Sequence, residues 1–308
     1  MGRYVIRRLL QVIPVFFGTT FIIFAGVFML PGDPIRALFG DKSPGAAVIN
    51  TIREKYHLND PLLIQYYEYM KGVVVGDLGV NFRDRPVLDI ILQAAPVSIK
   101  LGLTAFVFEI IVGILAGILA GLRRGGYFDN LVLIVTTLII SIPSFVLGFV
   151  SQLTLGLELG IFPVSSIREG WPYAYILPAM ILAALGLASL TRLTRTSLVE
   201  NLRADYVRTA IAKGLPRKRV IGRHAFRNSL IPVVTLLGID IGTLISGAII
   251  TEGIFNLPGV GQALFRAIGA QENTVVVGIS VALVLIFILA NLLVDVLYGV
   301  LDPRIRYD

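Results

Sequence analysis

Six stretches of this chain run for about twenty residues with almost no ionisable side chain: Leu9–Leu30, Leu101–Leu122, Leu131–Leu155, Ala174–Leu190, Leu230–Thr251 and Val275–Leu297. A helix needs roughly 20 apolar residues to cross a bilayer. Inside lipid the backbone must satisfy its own hydrogen bonds, so such stretches are helices; a barrel would show short alternating strands instead. Charged residues make up only 15% of the chain, against about 25% in a soluble domain. The fold class expected is an all-α polytopic membrane protein with six transmembrane helices. Arg3, Arg7 and Arg8 precede the first stretch as in a secretory leader. Its apolar run is long for a leader and no small-residue cleavage site follows, so it reads as a retained first helix.

Lys and Arg set the orientation of such a chain. With both termini on one side, that side carries 17 of the 27 basic residues. Most of the remainder lie in one long loop, where the rule has little force. Both termini are therefore expected in the cytoplasm. The formal net charge of +7 follows from this topology and needs no nucleic-acid partner.

The linear organisation reads as a first transmembrane helix (1–30), an extracytoplasmic loop region (31–97), and a five-helix core (98–308) that includes a cytoplasmic segment, 192–228. Pro31-Gly32-Asp33-Pro34 ends the first helix. Tyr56–Val75 reads as helical, started by Asn59-Asp60-Pro61, with Leu62, Leu63, Tyr66, Tyr67 and Met70 at spacings of three and four. Such a helix suits the membrane interface or a partner surface. Gly113, Gly117 and Gly121 lie four apart in the second span, as do Gly238, Gly242 and Ser246 in the fifth. Small residues at that spacing let helix backbones approach, within the chain or against a second subunit. Ser141-Ile142-Pro143-Ser144 interrupts the third span with a kink. The fourth span is short and bounded by Pro172 and Pro178.

Three acids lie within spans: Glu109, Asp240 and Asp295. Acids are costly in lipid and face protein or water. Asp295 sits near the cytoplasmic end, where Arg304 is a natural partner. Glu109 and Asp240 are each a packed, protonated or paired group, or part of a polar path. The chain has no cysteine, and its two histidines, His57 and His224, fall on opposite sides of the membrane, which argues against a metal site. It lacks His-Glu-x-x-His, Gly-x-Ser-x-Gly and a phosphate-binding loop, which argues against a hydrolase or an ATPase in this chain. Two mid-membrane acids make a weak relay for a proton-coupled secondary carrier. No span is polar enough to line a wide pore alone.

The segment Arg192–Arg227 carries ten Lys/Arg and two acids. Topology alone explains its charge, but not its regular interior. Asp205 is a candidate N-cap, Tyr206–Lys213 supplies about two helical turns, and Gly214 is a natural stop before Leu215-Pro216. A short capped helix between membrane spans is a handle through which a soluble partner can push.

At these residues the sequence resembles a known family, the inner-membrane permease subunits of binding-protein-dependent ABC importers. Within it the match is to the dipeptide/oligopeptide/nickel branch and to the first of its two paired permeases. Arg208-Thr209-Ala210, with Gly214 four residues on, sits where the family has its Glu-Ala-Ala…Gly motif. His224-Ala225-Phe226-Arg227-Asn228-Ser229-Leu230-Ile231-Pro232 completes it. Other matches are Pro31-Gly32-Asp33-Pro34, Gly76-Asp77-Leu78-Gly79, Ser141-Ile142-Pro143-Ser144-Phe145, Glu252-Gly253-Ile254-Phe255 with Pro258-Gly259-Val260-Gly261, and Asp295, Tyr298 and Asp302-Pro303-Arg304. Two departures stand out: Glu272-Asn273-Thr274 replaces an Asp-x-Pro, and Asp240 stands where a neutral residue is expected.

The resemblance implies a non-catalytic subunit with the type I ABC importer permease fold in the plasma (inner) membrane of a prokaryote. Its partners would be a second homologous permease, two ABC ATPase subunits, an extracytoplasmic substrate-binding protein and membrane lipid. ATP and magnesium would sit on the ATPases, and this chain would hold no cofactor and no metal. Asp205, Tyr206, Val207, Arg208, Thr209, Ala210, Lys213, Gly214 and Leu215 would form the coupling helix. Glu252, Phe255, Pro258 and Gly259 would serve binding-protein docking. Pro143 and Ser144, with Glu109 and Asp240, are the candidate translocation-path or polar membrane sites. The cargo would be dipeptides or oligopeptides, with nickel or haem as alternatives on the same machinery.

Overall fold

The computed structural model describes residues 2–29, 60–164, 167 and 169–301; the side chains of 2–7, 246, 293 and 295–301 are outside that description. The turn Pro31-Gly32-Asp33-Pro34, the tail Asp302-Pro303-Arg304 and the expected Asp295–Arg304 pairing therefore lie outside the described residues. Helices in chain order are α1 (Gly2–Phe28), α2 (Leu62–Val74), α3 (Val87–Leu122), α4 (Tyr127–Ser141) and α5 (Ser144–Glu158). There follow α6 (Tyr173–Leu202), α7 (Asp205–Ala212), α8 (Arg227–Ile254), α9 (Val260–Gly269) and α10 (Asn273–Leu301). Among the described residues there is no strand, only an isolated bridge between Val80 and Pro86. Five helical segments are long and apolar enough to cross a membrane, or six if the pair α4 and α5 forms one span bent by 105°.

Contacts divide the chain into two compact units, 1–98 with 258–308, and 99–257. They group residues differently from the linear division of the sequence. In the first unit α10 packs on α1 and α9. Helix α2 lies on α1, where Tyr66 donates to the Phe17 carbonyl at 2.9 Å and its ring meets Phe21 and Phe24 edge to face. Met70 is buried on that side, while Leu63 and Tyr67 face outward.

In the second unit α6 is the centre, packed by α3, α4, α5 and α8. Along α3 from Leu101 onward, a buried residue recurs at every fourth position: Leu101, Ala105, Glu109, Gly113, Gly117 and Gly121, with Ala120 buried beside the last. Leu103, Val107, Ile111, Leu115 and Leu119 form the exposed apolar stripe opposite. A helix of 3.6 residues per turn drifts about 40° for each step of four. The wide π-helical turn Glu109–Gly113 takes up part of that drift. The small stripe meets α6 in register: a Cβ on Gly113 would lie 2.9 Å from Leu190, on Gly117 2.6 Å from Thr194, and on Gly121 3.2 Å from Leu198. In this helix the glycine spacing serves packing within the chain.

Three expectations need correction. The fourth span does not end at Leu190; α6 runs 30 residues through Pro178 and both Arg192 and Arg195. Those two arginines belong to a helix and not to a loop because α4 receives them. Arg195 makes a bidentate bond to Asp129, 2.7 Å to each carboxylate oxygen, and Arg192 donates to Thr136 at 3.0 Å and Thr137 at 2.5 Å. At Ser141–Ser144 the chain breaks instead of kinking, because Ile142 is extended and Pro143 starts a new helix. Asp205 is not the cap of α7; Ala204 is, and Asp205 is the first helical residue.

Candidate functional site

The short helix α7 is eight residues long, too short to be stable in isolation. Its stability comes from its seat. Val207 (2% exposed) and Ala210 are buried with Leu198 of α6, with Val220 and Ala225 of the approach to α8, and against Ile118 of α3, Leu202 and Leu215. Burying one valine side chain contributes about 1.5–3 kcal/mol. Tyr206 donates to the Asn201 side chain, tying the start of α7 to the end of α6. The far end closes as a Schellman motif: Gly214 N–H bonds the Ile211 carbonyl at 2.9 Å and Leu215 N–H the Ala210 carbonyl at 3.3 Å. Gly214 has φ +75°, the left-handed geometry that glycine adopts without strain. The expected stop is therefore present, with Leu215 folding back on the cluster that holds Ala210.

What α7 presents outward is mixed in character. Asp205, Arg208, Thr209 and Lys213 are exposed. The Asp205–Arg208 pair, at 3.5 Å, is almost wholly in solvent and adds little. Tyr206 is 40% and Ile211 60% exposed. Ile211 was not singled out from the sequence. Its spacing of four from Val207 suggests the inner face, yet it sits on the rim and points out. The outward face of α7 thus shows a tyrosine and an isoleucine beside basic side chains.

The two acids Glu109 and Asp240 come together. Glu109 of α3 is 0% and Asp240 of α8 is 7% exposed, and the two carboxyls lie against each other. Glu109 fits there because α6 has a glycine opposite: a Cβ on Gly186 would stand 2.6 Å from Glu109 Oε1. Thr243 donates to the Asp240 backbone carbonyl at 2.8 Å.

The other candidates are dispersed. Pro143 is exposed and Ser144 half-buried at the α4/α5 break, where the Pro143 carbonyl accepts from Val146 and Leu147. Glu252 and Phe255 are fully buried near the end of α8. Gly259 is also buried, so Pro258 alone of the four reaches the surface.

A multi-pass helical chain with a seated helix between two long spans has the build of a membrane transport permease. A family model described as the binding-protein-dependent transport system inner membrane component matches residues 113–307. A second, for the N-terminal part of such membrane components, matches residues 1–102. The dipeptide transport system permease protein DppB of Escherichia coli K12 is 36% identical over 337 residues, covering 100% of this chain and 99% of that protein. Its counterpart in Alkalihalophilus pseudofirmus is 35% identical over the whole of both chains. The glutathione transport system permease protein GsiC of Escherichia coli K12 is 39% identical over 308 residues, again the whole of both. The chain belongs to the inner-membrane permeases of binding-protein-dependent transport systems, in their dipeptide/oligopeptide branch.

Proposed function

We propose that this chain is one half of the translocation path of an ATP-driven importer of dipeptides or other short peptides. It spans the membrane six times with both termini in the cytoplasm and α4 with α5 forming one bent span. A second, homologous permease completes the path, two ATPase subunits drive it, and an extracytoplasmic binding protein delivers the cargo. Relatives named for dipeptide and for glutathione, a tripeptide, support a short peptide as the cargo.

The observation that carries the reading is the seat of α7. Its buried face touches α3, α6 and the approach to α8 through one apolar cluster, while Tyr206 and Ile211 face outward. A partner gripping the outer face moves three membrane helices together. ATP binding closes the ATPases and turns the permease pair outward; hydrolysis resets it. Exposed Pro258 and the helix α2 offer surface to the binding protein.

The test is Ile211→Asp. It leaves Val207, Ala210 and the closing hydrogen bonds intact and places a charge on the outer face. In the reconstituted complex, substrate-stimulated ATPase activity and uptake should both fall at least tenfold, while the chain still inserts and purifies. Full stimulation in that variant would refute the coupling role.

A further inference from the structure

The handle leaves unexplained the Glu109–Asp240 pair. Both residues are more than nine-tenths buried, and Glu109 Oε1 and Oε2 and Asp240 Oδ2 have no hydrogen-bond partner. The glycine at 186 leaves room for the Glu109 carboxyl head that any larger residue would fill. Counted from Leu122 on α3 and from Arg227 on α8, each acid lies about 13 residues, roughly 20 Å of helix, from the end that adjoins the basic segments. The two are therefore level, well inside a core about 30 Å thick.

Among the described residues, the surroundings supply no free cation. On α6, Arg192 is engaged by Thr136 and Thr137, and Arg195 by Asp129. On α6, Tyr173, Tyr175 and Glu200 lie more than ten residues from Gly186; on α8, Arg227 and Glu252 lie more than ten residues from Asp240; and Lys100 is nine residues up α3. Two carboxylates side by side in low dielectric repel each other, and the Thr243 hydroxyl, 3.4 Å from Asp240 Oδ1, leaves Asp240 Oδ2 and both Glu109 oxygens without a donor. A proton on one supplies both the missing donor and the missing charge.

We propose that Glu109 and Asp240 form a buried proton-binding site that joins α3 to α8 at mid-membrane. The carboxylic acid donates to its neighbour across the slot opened by Gly186. The proton stays with the folded chain and is shed when the helices part. While the proton is held the two helices are joined; its loss leaves two like charges between α3 and α8, and the contact weakens.

The experiment uses the full chain in lipid vesicles and infrared difference spectra taken as pH is raised from neutral. The wild type should show the stretch of a protonated carboxyl that disappears in alkali. Glu109→Gln and Asp240→Asn, made separately so that failure of one to insert leaves the other, should each lack one carboxyl equivalent of that signal. The wild-type unfolding midpoint should fall as pH rises, and that of Glu109→Gln should fall less. A wild type with only carboxylate bands at neutral pH overturns the proposal. So does a variant that keeps the whole signal, or a midpoint that follows sodium at fixed pH.

Discussion

The register between α3 and α6 makes a sharp prediction at Gly117. An alanine Cβ there would stand 2.6 Å from Thr194 Cβ and 2.7 Å from the Thr191 carbonyl oxygen. One of those two neighbours is backbone of the longest and most enclosed helix of its unit, which cannot step aside as a flexible side-chain tip does. Overpacking of this kind costs about 1–3 kcal/mol, and the rigid neighbour puts Gly117→Ala toward the upper end. Gly102→Ala is the matched control: same helix, same chemical change, nothing within 4 Å of the added methyl. It should be neutral or slightly stabilising through helix propensity. At about 2–4 °C per kcal/mol for chains somewhat shorter than this one, the two unfolding midpoints in lipid or detergent should differ by about 5 °C or more. Equal midpoints would refute the packing register, and with it the claim that the four-residue glycine repeat serves contact with α6.

Removing Arg195 strands Asp129, whose side chain is 2% exposed. Breaking a buried pair costs about 3–5 kcal/mol, so Arg195→Ala should lower the unfolding midpoint more than the Asp129→Ala/Arg195→Ala double variant; the reverse order would contradict the pairing. Gly214→Ala has open space but φ +75°, so strain alone of about 1 kcal/mol should speed hydrogen exchange of the Leu215 amide about fivefold; unchanged exchange would contradict the closure. Outside the membrane, burial raises the Glu272 carboxyl above the ordinary carboxylate range, with Arg83 partly opposing. The folded chain then holds a proton the unfolded chain sheds, so this group's stabilisation is complete at acid pH and lost as pH rises through the shifted value. Glu272→Gln should flatten that part of the stability–pH curve, and an unaltered curve would contradict it.

Much of this was legible in the sequence, and the failures share a cause. The apolar runs marked the helices long and apolar enough to cross a membrane, five or six of them, and Gly214 marked the end of α7, because both depend on local chemistry. The length of α6 was hidden because Arg192 and Arg195 read as loop charges until α4 supplies Thr136, Thr137 and Asp129. The Glu109–Asp240 contact joins positions too far apart in sequence for any periodicity to report. Ile211 carries the spacing of an inner-face residue; only the way α7 rolls on Leu198 and Val220 turns it outward.

The most direct test of the account is ATP dependence of peptide uptake. Proteoliposomes carrying this chain with the proposed second permease, ATPases and binding protein would be given a labelled dipeptide, with ATP supplied to the ATPases and the proton gradient collapsed by a protonophore. Uptake should proceed under those conditions and stop when ATP is withheld. Uptake that continues without ATP and ceases with the protonophore would contradict the central claim and make the chain a proton-driven carrier.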